Sequence, residues 1–497
     1  MSDLPALVVA LPILGSVAAL LAGLVRERTG WHVAVLAMAG QVVLTVALAA
    51  RAFDERVTYV VGWFEAPYGI ELVVDGLSAT MAVLVAVVSL GVLAYARRAG
   101  PRSNPFYATY LLLVTGLTGV SVTGDAFNLY VFIEIMGLAA YVLVAGGRTA
   151  ESAIAGLKYL IVGTVGASLY LLGVAYAYVA TGTLNMADLS NELAAVGHDT
   201  TLVQTAFALV VVGLFIKIAV FPLHTWQPDA YADAPPVVSG LISALVSTVA
   251  TYALVRMVFT VFTVDFLLAN PAARTVLAVG GAVSIVVGSV LAVTQTEIKR
   301  VLAYSSVSQF GLVVVAIAVA NVTALTGAFI HLVGHAVMKG GLFLTAGLVA
   351  SATGARSVDE YDGLSERVPL GSAALGVLAL GMVGVPPAVG FVAKWYIALG
   401  SVEAQAWPLA VVILLSTLLT LAYFARLIER MFFRDAPESA PDDRGLVADG
   451  ATVADVASVS TGMRATVVVA ALLAVGLGVV GFEYGQLLEP TIERLLA

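Results

Sequence analysis

Residues 213–226 read GLFIKIAVFPLHTW, and residues 381–395 read GMVGVPPAVGFVAKW. Each segment places a lysine close to proline inside a long apolar run; these residues are Lys217, Pro222, Pro386, Pro387 and Lys394. Proline removes a backbone hydrogen-bond donor and kinks a helix, which frees carbonyl groups within the bilayer. In transporter folds built from inverted repeats, such broken helices stand at matching positions and form the ion site. The two segments therefore predict a pair of broken helices with a function in ion transport.

The rest of the chain has the composition of an integral membrane protein. Hydrophobic residues make up 60% of the 497 residues and charged residues 11%, against about 25% charged residues in soluble domains. About fourteen apolar runs reach or approach the roughly 20 residues that a helix needs to cross a bilayer. They lie near 4–25, 31–50, 76–96, 106–123, 127–146, 157–180, 203–221, 237–260, 274–294, 301–320, 323–350, 369–399, 408–432 and 465–482. Because such spans must satisfy their own backbone hydrogen bonds, we expect an all-α, polytopic membrane bundle of about 14 transmembrane helices.

Composition also excludes several classes of function. The chain has no cysteine, which rules out disulfides and cysteine-ligated iron–sulfur clusters. No glycine-rich phosphate or dinucleotide loop stands between a strand and a helix, and the net charge of −8 argues against a nucleic-acid partner. We expect neither a cofactor nor a bound metal. The first apolar run is too long for a cleavable signal peptide and is interpreted as the first span.

The two broken helices divide the chain into repeated units. They are the seventh and twelfth predicted spans, so spans 4–8 and 9–13 are expected to form two five-helix repeats of opposite orientation. Most arginines follow odd-numbered spans, which by the positive-inside rule places both termini outside a multi-pass protein of the cell (plasma) membrane. The predicted domains are 1–104 (spans 1–3), 105–260 (first repeat), 261–434 (second repeat), 435–463 (a polar, acidic cytoplasmic linker) and 464–497 (the last span).

A carboxylate lies within the fifth predicted span. Glu134 is the one acidic residue of NLYVFIEIMGLAAYVLV, residues 128–144. An isolated charge in lipid is costly, and Lys217 is the natural partner for it. Two interpretations are open, a static ion pair that holds helices together and a pair that exchanges protons. Lysine suits the second, because it releases its proton when desolvated far more readily than arginine does.

Three titratable side chains recur at intervals of four in FIHLVGHAVMKGGLF, residues 329–343. They are His331, His335 and Lys339, and this spacing places them on one helix face. Two histidines at this spacing can bind zinc, but no glutamate follows the first histidine and no third ligand is nearby. Helix packing and a proton relay are both open, and histidine suits a relay because it titrates near physiological pH.

Other charged residues are accessory candidates. Lys158 begins the sixth span, where its ammonium group can reach the membrane interface. His224 and Asp229, in FPLHTWQPDAYADAPP, lie at the mouth of the seventh span, either as an access path or as a polar turn. The charged residues of TEIKR, 296–300, fit a solvated cytoplasmic turn.

Six segments together resemble one known family. The segments are GDAFNLYVFIEIMGLAAYVLVA, LKYLIVGTVGASLYLLGVAYAYVATGTLNM, IKIAVFPLHTWQPDAYADAPPVVSGLISA, TEIKRVLAYSSVSQFG, HLVGHAVMKGGLF and GVPPAVGFVAKW. In this order they are similar to the antiporter-like family. That family comprises subunits of Mrp-type multisubunit sodium/proton antiporters and the proton-pumping membrane subunits of respiratory complex I and of membrane-bound hydrogenases. The resemblance covers roughly residues 105–430, and within the family the chain looks most like the D-type subunit of the Mrp antiporters.

The resemblance implies fourteen helices with the inverted repeat, and it gives roles to the buried charges. Glu134 and Lys217 match the carboxylate–lysine pair of the first half-channel. The titratable side chains of residues 329–343 match the central hydrophilic axis, and Lys394 matches the group next to the exit. One departure is Thr248, which stands where several relatives carry a lysine. A threonine can bind water but holds no charge.

We therefore expect a proton-translocating membrane subunit of a multisubunit monovalent cation (Na⁺)/proton antiporter. Its partners are other membrane subunits of the complex within the lipid bilayer, and protons pass through buried Glu, Lys and His side chains along a hydrated mid-membrane axis. One alternative is a proton-pumping subunit of an NADH:quinone oxidoreductase or membrane-bound hydrogenase complex. Another is a non-conducting scaffold, which Thr248 keeps open. We expect an ion-transport subunit and not an enzyme.

Overall fold

A computed structural model describes residues 3–101, 103–436 and 459–497. Its helices are α1 (Leu4–Val25), α2 (Gly30–Ala52), α3 (Gly76–Ala99), α4 (Asn104–Val122), α5 (Ala126–Ala145), α6 (Ala150–Thr181), α7 (Met186–Val196), α8 (Thr201–Ile218), α9 (Gln227–Asp233), α10 (Pro236–Arg256), α11 (Thr263–Ala269), α12 (Pro271–Thr294), α13 (Ile298–Val319), α14 (Val322–Thr353), α15 (Leu364–Arg367), α16 (Pro369–Val383), α17 (Val389–Glu403), α18 (Trp407–Phe433), α19 (Thr461–Val479) and α20 (Gly481–Leu496). Two short strands, β1 (Val57–Val60) and β2 (Glu71–Val74), pair antiparallel. Most of the predicted linker, residues 437–458, lies outside the described residues.

The prediction of an all-α, polytopic membrane bundle is confirmed. Within the described ranges, 13 helices are long and apolar enough to cross a membrane. The span expected at 369–399 is divided into two helices of 15 residues each, α16 and α17. The β1–β2 hairpin is not among the predicted elements, because strands of four residues give too short an alternation to stand out in the sequence.

The centre of the bundle is formed by α10, α13 and α14. Their most apolar stretches are 100%, 94% and 89% buried inside the protein, respectively, against 33% for α1, α2 and α18. The polar side chains of these central helices therefore face protein and not lipid, which is where charged groups occur in membrane proteins.

The first break follows Lys217 directly. Helix α8 ends one residue later, and Ala219 adopts a φ of +67°, a left-handed conformation that an L-residue seldom takes inside a helix. Pro222 then supplies no N–H donor to continue the ladder. Trp226 closes the break, because its indole N–H donates to the Ile216 carbonyl at 2.8 Å.

The second break separates α16 from α17. Gly384 ends α16 with a φ of +96°, where any residue with a Cβ would be strained. Pro386 and Pro387 lie in the turn, and α17 begins two residues later. Lys394 lies in the second turn of α17. Each break therefore lies within a few residues of a buried lysine.

Arg256 ends α10 and anchors it to the N-terminus of α3. The helix continues through a six-residue π-helical segment, 257–262, into α11. The guanidinium group of Arg256 pairs with the carboxylate of Asp75, which caps the N-terminus of α3. It also donates to the Tyr252 hydroxyl at 2.8 Å. This partly buried ion pair ties the central span to α3.

Candidate functional site

Helices α5 and α8 bring Glu134 and Lys217 together. Nζ of Lys217 lies 3.6 Å from Oε1 of Glu134 and donates a hydrogen bond of 3.0 Å to the Tyr141 hydroxyl. The Lys217 side chain is 3% exposed, whereas that of Glu134 is 21% exposed. The ammonium group is therefore enclosed and its carboxylate partner is open on one side.

Close packing of α6 against α8 positions this lysine. A Cβ on Gly213 would lie 2.6 Å from the Gly166 carbonyl oxygen, and a Cβ on Gly166 would lie 3.0 Å from the Gly213 carbonyl oxygen. Because the opposing atoms are backbone, neither position accepts a side chain unless the helices move apart. Gly213 lies about one helical turn before Lys217, so the glycine contact fixes the position of Lys217 relative to α6.

Helix α14 carries His331, His335 and Lys339 on one buried face, the α14 stripe, and none of the three is more than 2% exposed. The two imidazole centroids are 6.0 Å apart. In the described part of the chain, neither ring nitrogen of either histidine has a hydrogen-bond partner. Lys339 donates to the Leu302 carbonyl at 3.0 Å and to the Ser305 hydroxyl, both on α13. Buried polar atoms are nearly always hydrogen-bonded, so the four open ring nitrogens mark a place where water or a mobile proton can bind.

Lys394 reaches back to the open end of α16. Its Nζ donates to the carbonyls of Met382 at 3.1 Å and Val383 at 2.9 Å. These are the last carbonyls of the helix, which lack partners within it and lie at the negative end of its dipole. The break thus supplies acceptors for a buried ammonium group. The ion pairs of the described residues include neither Lys339 nor Lys394.

A buried polar cluster that is not among the predicted site residues consists of Gln227, Tyr231 and Ser247. The Gln227 amide donates to the Tyr231 hydroxyl at 3.2 Å and to Ser247 Oγ at 3.3 Å, and the two hydroxyl oxygens are 3.1 Å apart. Gln227 follows Trp226, which closes the break beside Lys217. The Tyr231 ring packs against Phe343, with centroids 5.6 Å apart, about one turn beyond Lys339 on α14. This polar cluster therefore lies beside the break that follows Lys217 and contacts α14 about one turn beyond Lys339.

The α10 side of the polar cluster has a signal in the sequence. Four hydroxyl residues repeat at intervals of four and are all 0% exposed: Ser239, Ser243, Ser247 and Thr251. This spacing puts the four hydroxyl residues on one helix face. The sequence alone could therefore have indicated a polar face of α10. Thr248 lies one residue away from that face, and its hydroxyl donates to the Ala244 carbonyl at 2.7 Å. The hydroxyl of Thr248 is thus bonded within its own helix.

Lys158 and Asp229 form an ion pair of 2.6 Å, and Arg300 lies 2.9 Å from the other carboxylate oxygen. Burial alone would raise the pKa of Asp229, but the hydrogen bonds and charges of Lys158 and Arg300 outweigh burial and hold the pKa below its usual value.

Lys299 does not join this ion pair. Its ammonium group donates to the carbonyls of Ala232 and Ala234 at 2.9 and 2.8 Å. Segment 296–300 is therefore docked onto α9, and the expectation of a solvated turn misses this contact.

His224 is not a member of the ion-pair cluster of Asp229 among the described residues. Its ring is 7% exposed and packs beside Phe221 and Tyr304, with centroids 5.3 and 5.9 Å away. The structure brings Lys158 to Asp229, but it does not bring His224 into that ion pair.

Residues 123–420 match the family described as NADH:quinone oxidoreductase/Mrp antiporter, TM. The chain belongs to this family. The NADH-quinone oxidoreductase subunit N of Desulforudis audaxviator is 43% identical over 447 residues, 88% of each chain. The D-type subunit of the Na(+)/H(+) antiporter of Bacillus subtilis is 31% identical over 385 residues, 77% of each chain. A chain of the Mrp complex from Dietzia sp. has a TM-score of 0.89 and 26% identity, covering 100% of this chain and 98% of that one.

These matches confirm the resemblance to the antiporter-like family. The protein is a multi-pass membrane subunit of the proton-pumping and antiporter type. Relatives from both branches of the family, the quinone oxidoreductases and the antiporters, match over most of the chain.

Proposed function

We propose that this family member carries protons across the membrane through its buried titratable side chains. The route starts at the Glu134–Lys217 pair and continues through the polar cluster of α9 and α10. It then reaches the α14 stripe and ends at Lys394. The two predicted repeats, 105–260 and 261–434, each supply one half-channel of this route.

The observation that carries the proposal is the environment of Lys339 and Lys394. Within the described structure, both ammonium groups are buried and bonded only to neutral oxygens, carbonyls in both cases and the Ser305 hydroxyl at Lys339. A fixed charge in such a site costs several kcal/mol without a counter-ion. Lysine, unlike arginine, can give up its proton there. Lysines that alternate between two protonation states suit this environment better than structural cations.

His331 and His335 supply the step between these lysines. Each imidazole can donate at one ring nitrogen and accept at the other, and all four nitrogens lack partners among the described residues. Water molecules that bridge these nitrogens to Lys339 and Lys394 complete the proposed chain.

We further propose that the protein is a subunit of a multisubunit monovalent cation/proton antiporter of the cell membrane, with Na⁺ as the exchanged ion and both termini outside. The similarity to the D-type subunit of a Na(+)/H(+) antiporter and to a chain of the Mrp complex supports this assignment. The second candidate is a proton-pumping subunit of a redox complex, which the 43% identity to an NADH-quinone oxidoreductase subunit N favours.

Arginine substitutions test the proton route. Lys217→Arg keeps a positive charge beside Glu134 but retains its proton. We expect proton flux in proteoliposomes of the purified complex to fall by about 100-fold or more, the usual size of a lost acid–base step. Lys158→Arg is the matched control, because that side chain is 40% exposed and needs only to pair with Asp229. Wild-type flux in an assembled Lys217→Arg complex would show that Lys217 is only a structural cation.

Purification of the complex with an affinity tag on this subunit tests the choice of assembly. Small antiporter subunits in the purified complex, with proton flux driven by a Na⁺ gradient, would support the antiporter. Quinone-reducing subunits, with proton pumping driven by a reductant, would support the redox complex and contradict the antiporter. An intact complex whose proton flux is unchanged by every substitution along the route would identify a scaffold.

A further inference from the structure

A large apolar groove lies on a different face of α14 from the titratable stripe. Its volume is about 660 Å³, and α3, α14 and α19 form most of its walls. Apart from Thr80, Thr466 and Tyr484, the side chains that line it are apolar. The volume falls within the range of about 300–1,000 Å³ that is usual for ligand sites. No part of the proposed proton route uses this groove.

A polar pocket adjoins the groove at the arginine-bearing end of α3. It has a volume of about 490 Å³ and is lined by Trp31, Arg97, Arg98 and the first residues of α19. Ala94 lines both the groove and the pocket, so they are neighbouring parts of one site. A long apolar groove that leads to a cationic pocket matches the two chemistries of an anionic lipid.

The groove is long enough for an acyl chain. It follows α3 from Thr80 to Ala94, a length of about 21 Å at the usual rise of a helix. The hydrocarbon layer of one leaflet is about 15 Å deep, half of the roughly 30 Å core of a bilayer. The groove therefore covers the full depth of a leaflet.

The pocket presents its positive charge where a headgroup would lie. The guanidinium group of Arg97 lies over the Trp31 ring, 5.0 Å from its centroid, and the Trp31 indole N–H donates to the Leu93 carbonyl at 2.9 Å. Tryptophan and arginine are typical anchors at the membrane interface. Arg98 is exposed beside them, and the ion pairs of the described residues include neither arginine. Among the described residues no carboxylate or carbonyl accepts from either guanidinium group, so their N–H donors are available to a phosphate group, which arginine binds well.

We propose that this site binds one anionic phospholipid, with its phosphate on Arg97 and Arg98 and an acyl chain in the groove. A hydrophobic helix of a partner subunit would cover the groove but leave both arginines without a counter-ion, so charge complementarity favours the lipid. The acyl chain packs against Gly340 and Gly341, next to Lys339. The lipid therefore supports the helical turn that presents Lys339 to α13. This last step rests on the proposed function, whereas the binding of lipid does not.

Two glycines provide a substitution that fills the groove and a matched control outside it. Gly91 lines the groove, and a Cβ added there meets no atom within 4 Å, so Gly91→Leu has room to start a side chain that occupies the place of the acyl chain. Gly476 of α19 also has no atom within 4 Å of an added Cβ, but it does not line the groove. Gly476→Leu is therefore the control. The double variant Arg97→Gln/Arg98→Gln removes the charge of the pocket and leaves the groove open.

The test is native mass spectrometry of the complex after reconstitution in vesicles of phosphatidylglycerol and phosphatidylcholine. Wild type and Gly476→Leu should retain phosphatidylglycerol, and Gly91→Leu should lose it. The double arginine variant should retain about 30-fold less, from the attraction of two arginines to an anionic headgroup. Equal retention in all variants, or equal retention of the two lipids by wild type, would overturn the proposal. So would a Gly91→Leu complex that keeps phosphatidylglycerol and loses a partner subunit, which would identify a protein interface.

Proton flux in the same vesicles tests the link to Lys339. We expect Gly91→Leu to lower the flux and Gly476→Leu to leave it unchanged. Loss of lipid with unchanged proton flux would overturn the proposal that the bound lipid supports the helical turn of Lys339. The proton route itself is tested separately by Lys217→Arg, which does not touch the lipid site.

Discussion

Removing the partners of the Glu134–Lys217 pair one at a time should reveal strong coupling between them and unequal effects of the two single substitutions on stability. Opposite unit charges 3.6 Å apart attract by about 5 kcal/mol at an effective dielectric constant of about 20, and by about 1 kcal/mol in water. The contact is enclosed on the lysine side and open on the carboxylate side, so we expect a coupling free energy of roughly 1–5 kcal/mol. Glu134→Gln should destabilise more than Lys217→Met, because it leaves an enclosed ammonium group with only the Tyr141 hydroxyl as a partner.

A double-mutant cycle measures this coupling. The free energy of unfolding is determined in detergent by denaturant titration for Glu134→Gln, Lys217→Met and the double variant. The double variant should be more stable than the sum of the single effects predicts, by at least about 1 kcal/mol. Tyr141→Phe is the control, since it keeps the ion pair and removes one hydrogen bond, at a cost of about 1 kcal/mol. Additive effects within about 0.5 kcal/mol would refute the direct pair, and equal single effects would refute the asymmetry.

The remaining predictions concern the polar cluster, the second break and the outer ion pair. Ser247→Ala should lower proton flux because it removes a hydroxyl of the polar cluster. Thr248→Val should leave the flux unchanged, since the Thr248 hydroxyl is bonded within α10. Equal losses of flux for the two variants in proteoliposomes would contradict the role of the polar cluster. Lys394→Ala should abolish flux in an assembled complex, and near-normal flux would remove Lys394 from the route. The pKa of Asp229 is held below its usual value by Lys158, so this carboxylate stabilises the fold at and above the usual aspartate pKa and stops doing so as the pH falls through its lowered value. Thermal unfolding of wild type and Asp229→Asn should therefore differ at neutral pH and converge in acid, and a difference independent of pH would contradict the ion pair.

The membrane architecture could be predicted from sequence because its determinants act locally. A run of about 20 apolar residues makes a spanning helix whatever surrounds it. Prolines interrupt helices through the donor that they lack, and Pro222 and Pro386 lie in the two breaks. The four-residue spacing of the α14 stripe places its side chains on one face by helix geometry alone. The same local rules carry no information about partners, so the contacts of these residues had to come from the structure.

The polar cluster of α9 and α10 could not be found by scanning for charges. Serine, glutamine and tyrosine carry no charge, and which of them meet depends on how the two helices pack after the break. The position of Thr248 shows the same limit. A resemblance aligns it with a lysine of relatives, but its hydroxyl bonds within its own helix, and Ser247 one residue earlier makes the contact to α9. Segment 296–300 looks solvated in sequence, because its docking on the carbonyls of residues 232–234 is a long-range contact.

Lys339 allows the most direct test of whether protons pass through the buried lysines. Proton flux is followed with a pH-sensitive dye inside proteoliposomes that contain the purified complex, for wild type, Lys339→Arg and the exposed control Lys158→Arg. Because arginine keeps its charge but does not release its proton, Lys339→Arg should show no flux above empty vesicles while Lys158→Arg matches wild type. Wild-type flux through an assembled Lys339→Arg complex would contradict a proton route through the centre of the bundle.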